Sequence, residues 1–279
     1  SKHAAARRPD LVIHVGDYLY RETPCPPANT SCTGSPYGDN WAAWQADFFA
    51  PAAPLLAAAP WVMIRGNHED CARAGAGWFR LLDPFAPHPE CSKTIDPYPL
   101  HLDGLDLLVL DSAAAKDEHA KPDAVALYAG QLERLFRAAP PHAWLVTHRP
   151  FWALTEGYGA AFGRSLNATL EAAIRGEVPA ALDMILSGHV HDFASYVFGP
   201  ERPAQLIVGT GGDLADPTVR SPDPGTVIDG LPLEKGFVLQ RFAYFVLERA
   251  EDGWVGTLVD TDERVAASCR LSGRDIACH

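Results

Sequence analysis

The chain has 279 residues, 47% hydrophobic and 21% charged, a balance that supplies a sizeable core and excludes disordered and fibrous proteins. No apolar stretch reaches the roughly 18 to 20 residues of a membrane span. Lys and Arg number 23 against 35 Asp and Glu, a net charge of −12; this excludes general nucleic-acid binding through a basic face, and it repels phosphate at long range unless metal ions reverse the local field.

In chain order, Ala4 to Arg8 reads as the tail of a helix stopped by Pro9. Leu11, Val12, Ile13 and Val15 form a short apolar run suited to a buried parallel strand. The run stops at Gly16-Asp17, with Tyr20 three residues on; His14, in mid-strand, reads as structural. Residues 21 to 40 hold four prolines, two glycines, Cys25 and Cys32, and read as a long loop. From Asn40 to about Leu56, Trp41, Trp44, Phe48 and Phe49 recur at helical spacing, with Asp39 or Asn40 as cap and the aromatic stripe as core. Trp61 to Arg65 is a second apolar strand, running into Gly66-Asn67-His68-Glu69. Residues 71 to 93, with Cys71 and Cys91, read as another looped region.

Tyr98 to His101 and Leu105 to Leu110 flank Asp103-Gly104, a hairpin signal. Asp123 to Ala138 reads as an amphipathic helix, and Ser165 to Arg175 as a helix. Strands at 143–146 and 182–186 deliver Thr147-His148-Arg149-Pro150 and Ser187-Gly188-His189-Val190-His191. Strands are then expected at about 194–198, 204–209, 236–248 and 254–260, in one α/β domain spanning residues 1–279.

Cys25 with Cys32, Cys71 with Cys91, and Cys269 with Cys278 are sequence-adjacent pairs, each able to close a short loop. None has zinc-site spacing. Three disulfides, rather than six buried thiols, imply an oxidising compartment, so a secreted or periplasmic protein. No signal peptide is visible, so a mature or trimmed chain is expected.

Four strand-end motifs carry chemistry: Gly16-Asp17-x-x-Tyr20, Gly66-Asn67-His68-Glu69, Thr147-His148 and Gly188-His189-Val190-His191. Their oxygen and imidazole donors suit iron, manganese, zinc and similar ions. Glycine before the ligand lets the backbone turn sharply. Each motif has a bland reading too: turn histidines for His148, His189 and His191, and a packed aromatic for Tyr20. Phe151, Trp152 and Tyr158 follow a candidate ligand closely and could line a pocket mouth. Asn29-Thr30-Ser31 and Asn167-Ala168-Thr169 fit the glycosylation pattern, a cheap match.

Taken together, the four motifs resemble those of the calcineurin-like metallophosphoesterases, and Asp17 with Tyr20 resembles the purple acid phosphatase branch. The resemblance covers residues 16 to 191, about two thirds of the chain, with residues 200 to 279 matched loosely as a second sheet. It implies a four-layer α/β/β/α sandwich of two mixed sheets flanked by helices. It also implies two metal ions about 3.5 Å apart, iron with zinc, manganese or a second iron. Asp17 would bridge them, Tyr20 and His191 would hold the first, and Asn67, His148 and His189 the second. His68 would contact the phosphate or protonate the leaving oxygen, and Glu69 or Asp70 would orient a histidine. The implied reaction is attack of metal-bound hydroxide on a small phosphate monoester. Diester hydrolysis of a cyclic nucleotide or lipid headgroup is the alternative on the same metals.

One departure stands out. The resemblance calls for an Asp-x-His or Asp-x-Gly at the end of a preceding strand, and Ser1 to Pro9 contain neither. The first strand is therefore expected to be missing and the first ion short of a ligand. That keeps open a non-catalytic remnant that binds metal or phosphate. Oligomeric state is not legible.

Overall fold

The computed structural model describes residues 1–85, 90–155, 164–174, 178–214 and 220–279, with 164–166 described by backbone alone. His88, Tyr158 and Arg175 lie outside the described residues. The chain divides into two compact units, Ser1–Ile95 with Asp111–Ala114, and Asp96–Leu110 with Ala115–His279.

The first unit opens with helix α1 (Lys2–Ala6), and Arg8 turns left-handed before Pro9. Strand β1 (Val12–His14) follows, and β2 (Trp61–Met63) lies parallel to it, pairing Val12 with Trp61 and His14 with Met63. Parallel pairing places the Asp17 turn and the Asn67-His68 turn at the same end of the pair. Between them, α2 (Trp41–Trp44) continues through a π-helical turn at Gln45–Phe49 into α3 (Ala50–Leu56). Asn40 is the cap, its side chain accepting from the Ala43 N–H. Asp39 instead takes the Trp44 indole N–H at 2.8 Å and the Gly77 N–H at 2.9 Å. Trp44 and Phe48 are buried as expected, but Trp41 is 59% exposed. It stays outside the core and packs on Phe49, ring centroids 5.3 Å apart.

Residues 71–93 are not all loop: α4 (Gly75–Leu81) buries Trp78 and Phe79. Its two glycines hide it from a propensity reading, and Gly77 is required by space, because a Cβ there would lie 2.0 Å from Trp44 Nε1. Cys71 and Cys91 are joined. Near them, the buried Arg65 guanidinium bonds the Glu69 carbonyl at 2.8 Å and Asp111 at 3.1 Å, and packs on the Phe79 ring. Burial pushes the Asp111 carboxyl up, an effect Arg65 opposes.

The second unit contributes β3 (Tyr98–Leu102), β4 (Leu105–Leu110), α5 (Pro122–Arg137), β5 (Ala143–Thr147), β6 (Ala153–Thr155), β7 (Arg164–Leu166), α6 (Ala168–Ala173), β8 (Leu182–Ser187), β9 (Phe193–Val197) and β10 (Ala204–Val208). After these come β11 (Val227–Ile228), β12 (Leu231–Pro232), β13 (Lys235–Leu239), β14 (Ala243–Ala250), β15 (Gly253–Asp260), β16 (Val265–Ser272) and β17 (Asp275–Cys278). A mixed sheet of seven strands runs β13-β9-β10-β8-β5-β4-β3, with β4, β5, β8 and β10 parallel. An antiparallel sheet of four strands runs β14-β15-β16-β17.

Three boundaries differ from the sequence reading. The single strand expected at 236–248 is two strands in different sheets. The β16–β17 hairpin was not anticipated; it sets Cys269 opposite Cys278, which are bonded. The helix expected from Ser165 starts at Ala168 because Asn167 caps it, accepting from the Leu170 N–H. The core of this unit packs Tyr128, Leu132 and Leu135 of α5 with Leu108, Leu145 and Ile185 of the sheet. Phe151 and Trp152 belong to that core, at most 1% exposed, and Trp152 also lines a cavity with Arg202, Asp229 and Leu231.

Candidate functional site

Beyond β1 the chain reverses through Gly16 and Asp17, both at positive φ, with Asp17 at +60°. A non-glycine residue held in the left-handed region is strained, so its surroundings must fix it. The fixing group is Glu69, fully buried, whose carboxylate accepts four backbone N–H bonds. One oxygen takes Tyr18 at 2.7 Å and Leu19 at 3.2 Å; the other takes Asp17 and Gly66, both at 3.0 Å. Four bonds fill the acceptor sites of a carboxylate. Glu69 is therefore a clamp on the backbone. Asp70 caps the next turn, accepting from the Ala72 N–H at 2.9 Å.

Held this way, Asp17 accepts the His68 backbone N–H at 3.0 Å and the Tyr20 hydroxyl at 3.3 Å. Gly66 has no room for a side chain, since a Cβ would lie 2.1 Å from the Asp17 carboxylate. Tyr20 lies against the His68 ring, centroids 4.0 Å apart. Asn67 opens the turn that carries His68. The first unit thus gathers Asp17, Tyr20, Asn67 and His68. His14 is structural as expected: its ring stacks on Tyr18 at 4.2 Å and receives the Gly16 N–H.

Two further side chains in this unit escaped the sequence. Glu22 lies 2.6 Å from His68 Nδ1, and Arg73 pairs with Glu22 at 2.7 Å. Burial lowers the His68 pKa, Asp17 and Glu22 pull it up, and Arg73 pushes it down; the net displacement is downward.

In the second unit, β5 and β8 are adjacent and parallel, so His148 and His189 leave the same edge of the sheet. Their rings meet edge to face, centroids 5.1 Å apart. His189 is left-handed at φ +70°. His191 Nδ1 donates to the Leu214 carbonyl at 2.6 Å, so the neutral ring carries its lone pair on Nε2. Gly209 follows β10 and would put a Cβ 1.8 Å from the Val190 carbonyl, so only glycine lets the His189–His191 turn pack there.

Asp117 also went unrecognised. It accepts from His189 Nε2 at 3.0 Å and from Asn167 at 2.6 Å, and pairs with Arg149. Burial pushes the Asp117 carboxyl up, but the His189 and Arg149 partners outweigh it and hold it well below the carboxylate range. Burial also lowers His189 to about 4, despite the opposing pull of Asp117. Nothing in the sequence marks Asp117, which sits in a polar loop away from any strand end. Asn167 is fully buried, which removes it as a glycosylation acceptor, whereas Asn29 is exposed.

The family model of the calcineurin-like phosphoesterases matches residues 2–193, a span that includes every candidate ligand. The chain belongs to this family. No curated protein sequence matches the chain. Among solved structures, it is similar to the purple acid phosphatase PPD1 from yellow lupin (Lupinus luteus) seeds, at 14% identity and TM-score 0.59, over 95% of this chain and 47% of that one. It is similar to PhoD at 16% identity and TM-score 0.62, over 99% of this chain and 67% of that one. A third is GAP50, the anchor in the inner membrane complex of Plasmodium, at 13% identity and TM-score 0.54, over 98% and 81%. These likenesses show the fold, and the chain spans about half the length of the lupin protein.

The donors present fit hard and borderline metal ions: a carboxylate, a phenol and an amide in one unit, three imidazoles in the other. Both groups stand at the carboxyl ends of parallel strands. Three disulfides suit an oxidising compartment. Among the described residues no helix is long and apolar enough to cross a membrane.

Proposed function

We propose that this chain is a two-metal hydrolase of small phosphate monoesters, working outside the cytoplasm in a secreted or periplasmic setting. Asp17 would be shared by both ions, Tyr20 and His191 would complete the first set, and Asn67, His148 and His189 the second. Iron with zinc, manganese or a second iron suits this mixture of oxygen and nitrogen donors. When bound, the ions supply a water nucleophile at neutral pH and neutralise charge on the phosphate.

The chain's own residues do the rest. Asp17 is held ready by the Glu69 clamp rather than ordered at the moment of binding. His68, with Nδ1 2.6 Å from Glu22 and Nε2 3.1 Å from Arg73 Nη2, would contact the phosphate or pass a proton to the leaving oxygen. Arg73 is neutralised by its pairing with Glu22, so the charge that offsets repulsion between an acidic chain and a phosphate would come from the metal ions. The observation that carries the reading is the clamped, left-handed Asp17 between Tyr20 and the His68 turn.

The test pairs metal analysis with hydrolysis of p-nitrophenyl phosphate and bis(p-nitrophenyl) phosphate. Metal-dependent turnover that favours the monoester supports the proposal; preference for the diester would move it to a phosphodiesterase. GAP50, with the same fold, is described as an anchor, so a binding role is the second reading. Metal binding with no turnover on either ester would favour it.

A further inference from the structure

We infer that Asp117 is a positioning residue for His189, accepting its Nε2–H and so presenting Nδ1 as the metal-binding nitrogen. The inference rests on the metal-centre reading above and adds to it a residue outside every strand-end motif.

The contact at 3.0 Å between His189 Nε2 and Asp117 sits inside a built frame. Asn167, fully buried, donates to the other Asp117 oxygen at 2.6 Å while capping α6 through the Leu170 N–H. The Asp117 carbonyl accepts the Ala168 N–H at 3.0 Å. Next to it, the Lys116 N–H bonds Thr169 Oγ1 at 3.1 Å. The carboxylate is therefore fixed to the start of α6 on both its backbone and side-chain sides, and it cannot follow His189 if the ring turns.

Arg149 Nη1 also lies 2.8 Å from His189 Nε2. One nitrogen cannot both donate to Asp117 and accept from Arg149, so the two contacts require opposite tautomers. Arg149 already pairs with the same Asp117 oxygen. Its closeness to the ring follows from that shared acceptor, and the carboxylate can take both donors. Carboxylates that hold a ligating histidine this way contribute roughly 10- to 100-fold in metal affinity.

The experiment titrates Zn2+ into the metal-free full chain and its Asp117→Asn and Asp117→Ala variants by calorimetry. In parallel, 15N-histidine spectra of wild type with and without Zn2+ report the tautomer of His189, assigned by its loss in His189→Gln. The expected result is a 10- to 100-fold weaker affinity for one zinc in Asp117→Ala, a smaller loss in Asp117→Asn, and a proton on Nε2 of His189 in the zinc-loaded wild type. Unchanged affinity in both folded variants, or a proton on Nδ1, overturns the role of Asp117 alone. If the variants do not fold, the wild-type tautomer decides. Wild type that binds no zinc overturns the metal-centre reading itself.

Discussion

Replacing Glu69 by Gln isolates the clamp on Asp17 with almost no change in shape. In the structure each carboxylate oxygen accepts two backbone N–H groups, Tyr18 with Leu19 and Asp17 with Gly66. An amide keeps one oxygen and turns the other into an NH2 that faces two donors. Two buried N–H groups then lose their acceptor, at about 1–3 kcal/mol each. Relief from burying a charged carboxylate offsets part of this, so a net loss of about 3 kcal/mol is expected. At roughly 2–4 °C per kcal/mol for a chain of this size, the apparent Tm should fall by about 6–12 °C. Thermal unfolding by circular dichroism measures it on metal-free protein, where loss of a ligand site cannot contribute. A Tm within about 2 °C of wild type would refute the argument that Glu69 holds the Asp17 turn.

Other predictions follow from the same contacts. Gly66→Ala should strip metal from the protein while leaving most of the fold, because the new Cβ lies 2.1 Å from the Asp17 carboxylate; metal analysis reads the loss. Trp44→Ala should cost about 3–5 kcal/mol, whereas Trp41→Ala, at a position 59% exposed, should cost under about 1 kcal/mol; denaturant unfolding compares the two. Iron-loaded protein should be coloured through the Tyr20 phenolate and Tyr20→Phe should bleach it, as visible spectroscopy would show. Metal-free protein should lose stability as pH falls from the ordinary histidine value of 6.5 to about 4. His189 is neutral there when folded but takes up a proton when unfolded, so the unfolded state binds more protons and gains up to about 1.4 kcal/mol per pH unit. His189→Gln should flatten that slope in unfolding curves taken across this range.

How far the sequence could be read depended on how local each cause was. The strands that deliver Asp17, Asn67, His148 and His189 were legible because buried parallel strands are apolar runs with an abrupt polar end. The three cystines were legible because each links neighbouring cysteines. Helix α4 was not, because Gly75 and Gly77 serve close packing against Trp44 and the cystine rather than helix formation. Trp41 and Trp44 share one helical spacing, yet only one is buried, a choice made by tertiary packing. The role of Glu69 was not legible because three of its four backbone contacts come from the Asp17–Leu19 turn, 50 to 52 residues away in sequence. Asp117 and Glu22 were invisible for the same reason: each acts on a histidine far along the chain, and no spacing rule reaches that distance.

Asp17, Tyr20, Asn67, His148, His189 and His191 are proposed to hold two ions that support phosphate-ester hydrolysis. Metal content and p-nitrophenyl phosphate hydrolysis, measured together on wild type and on Asp17→Asn, test it most directly. The expected result is close to two ions per chain in wild type, turnover abolished by chelation and restored by metal, and loss of both ions and turnover in the variant. Turnover that survives complete removal of metal, or a wild-type chain that retains none, would contradict it.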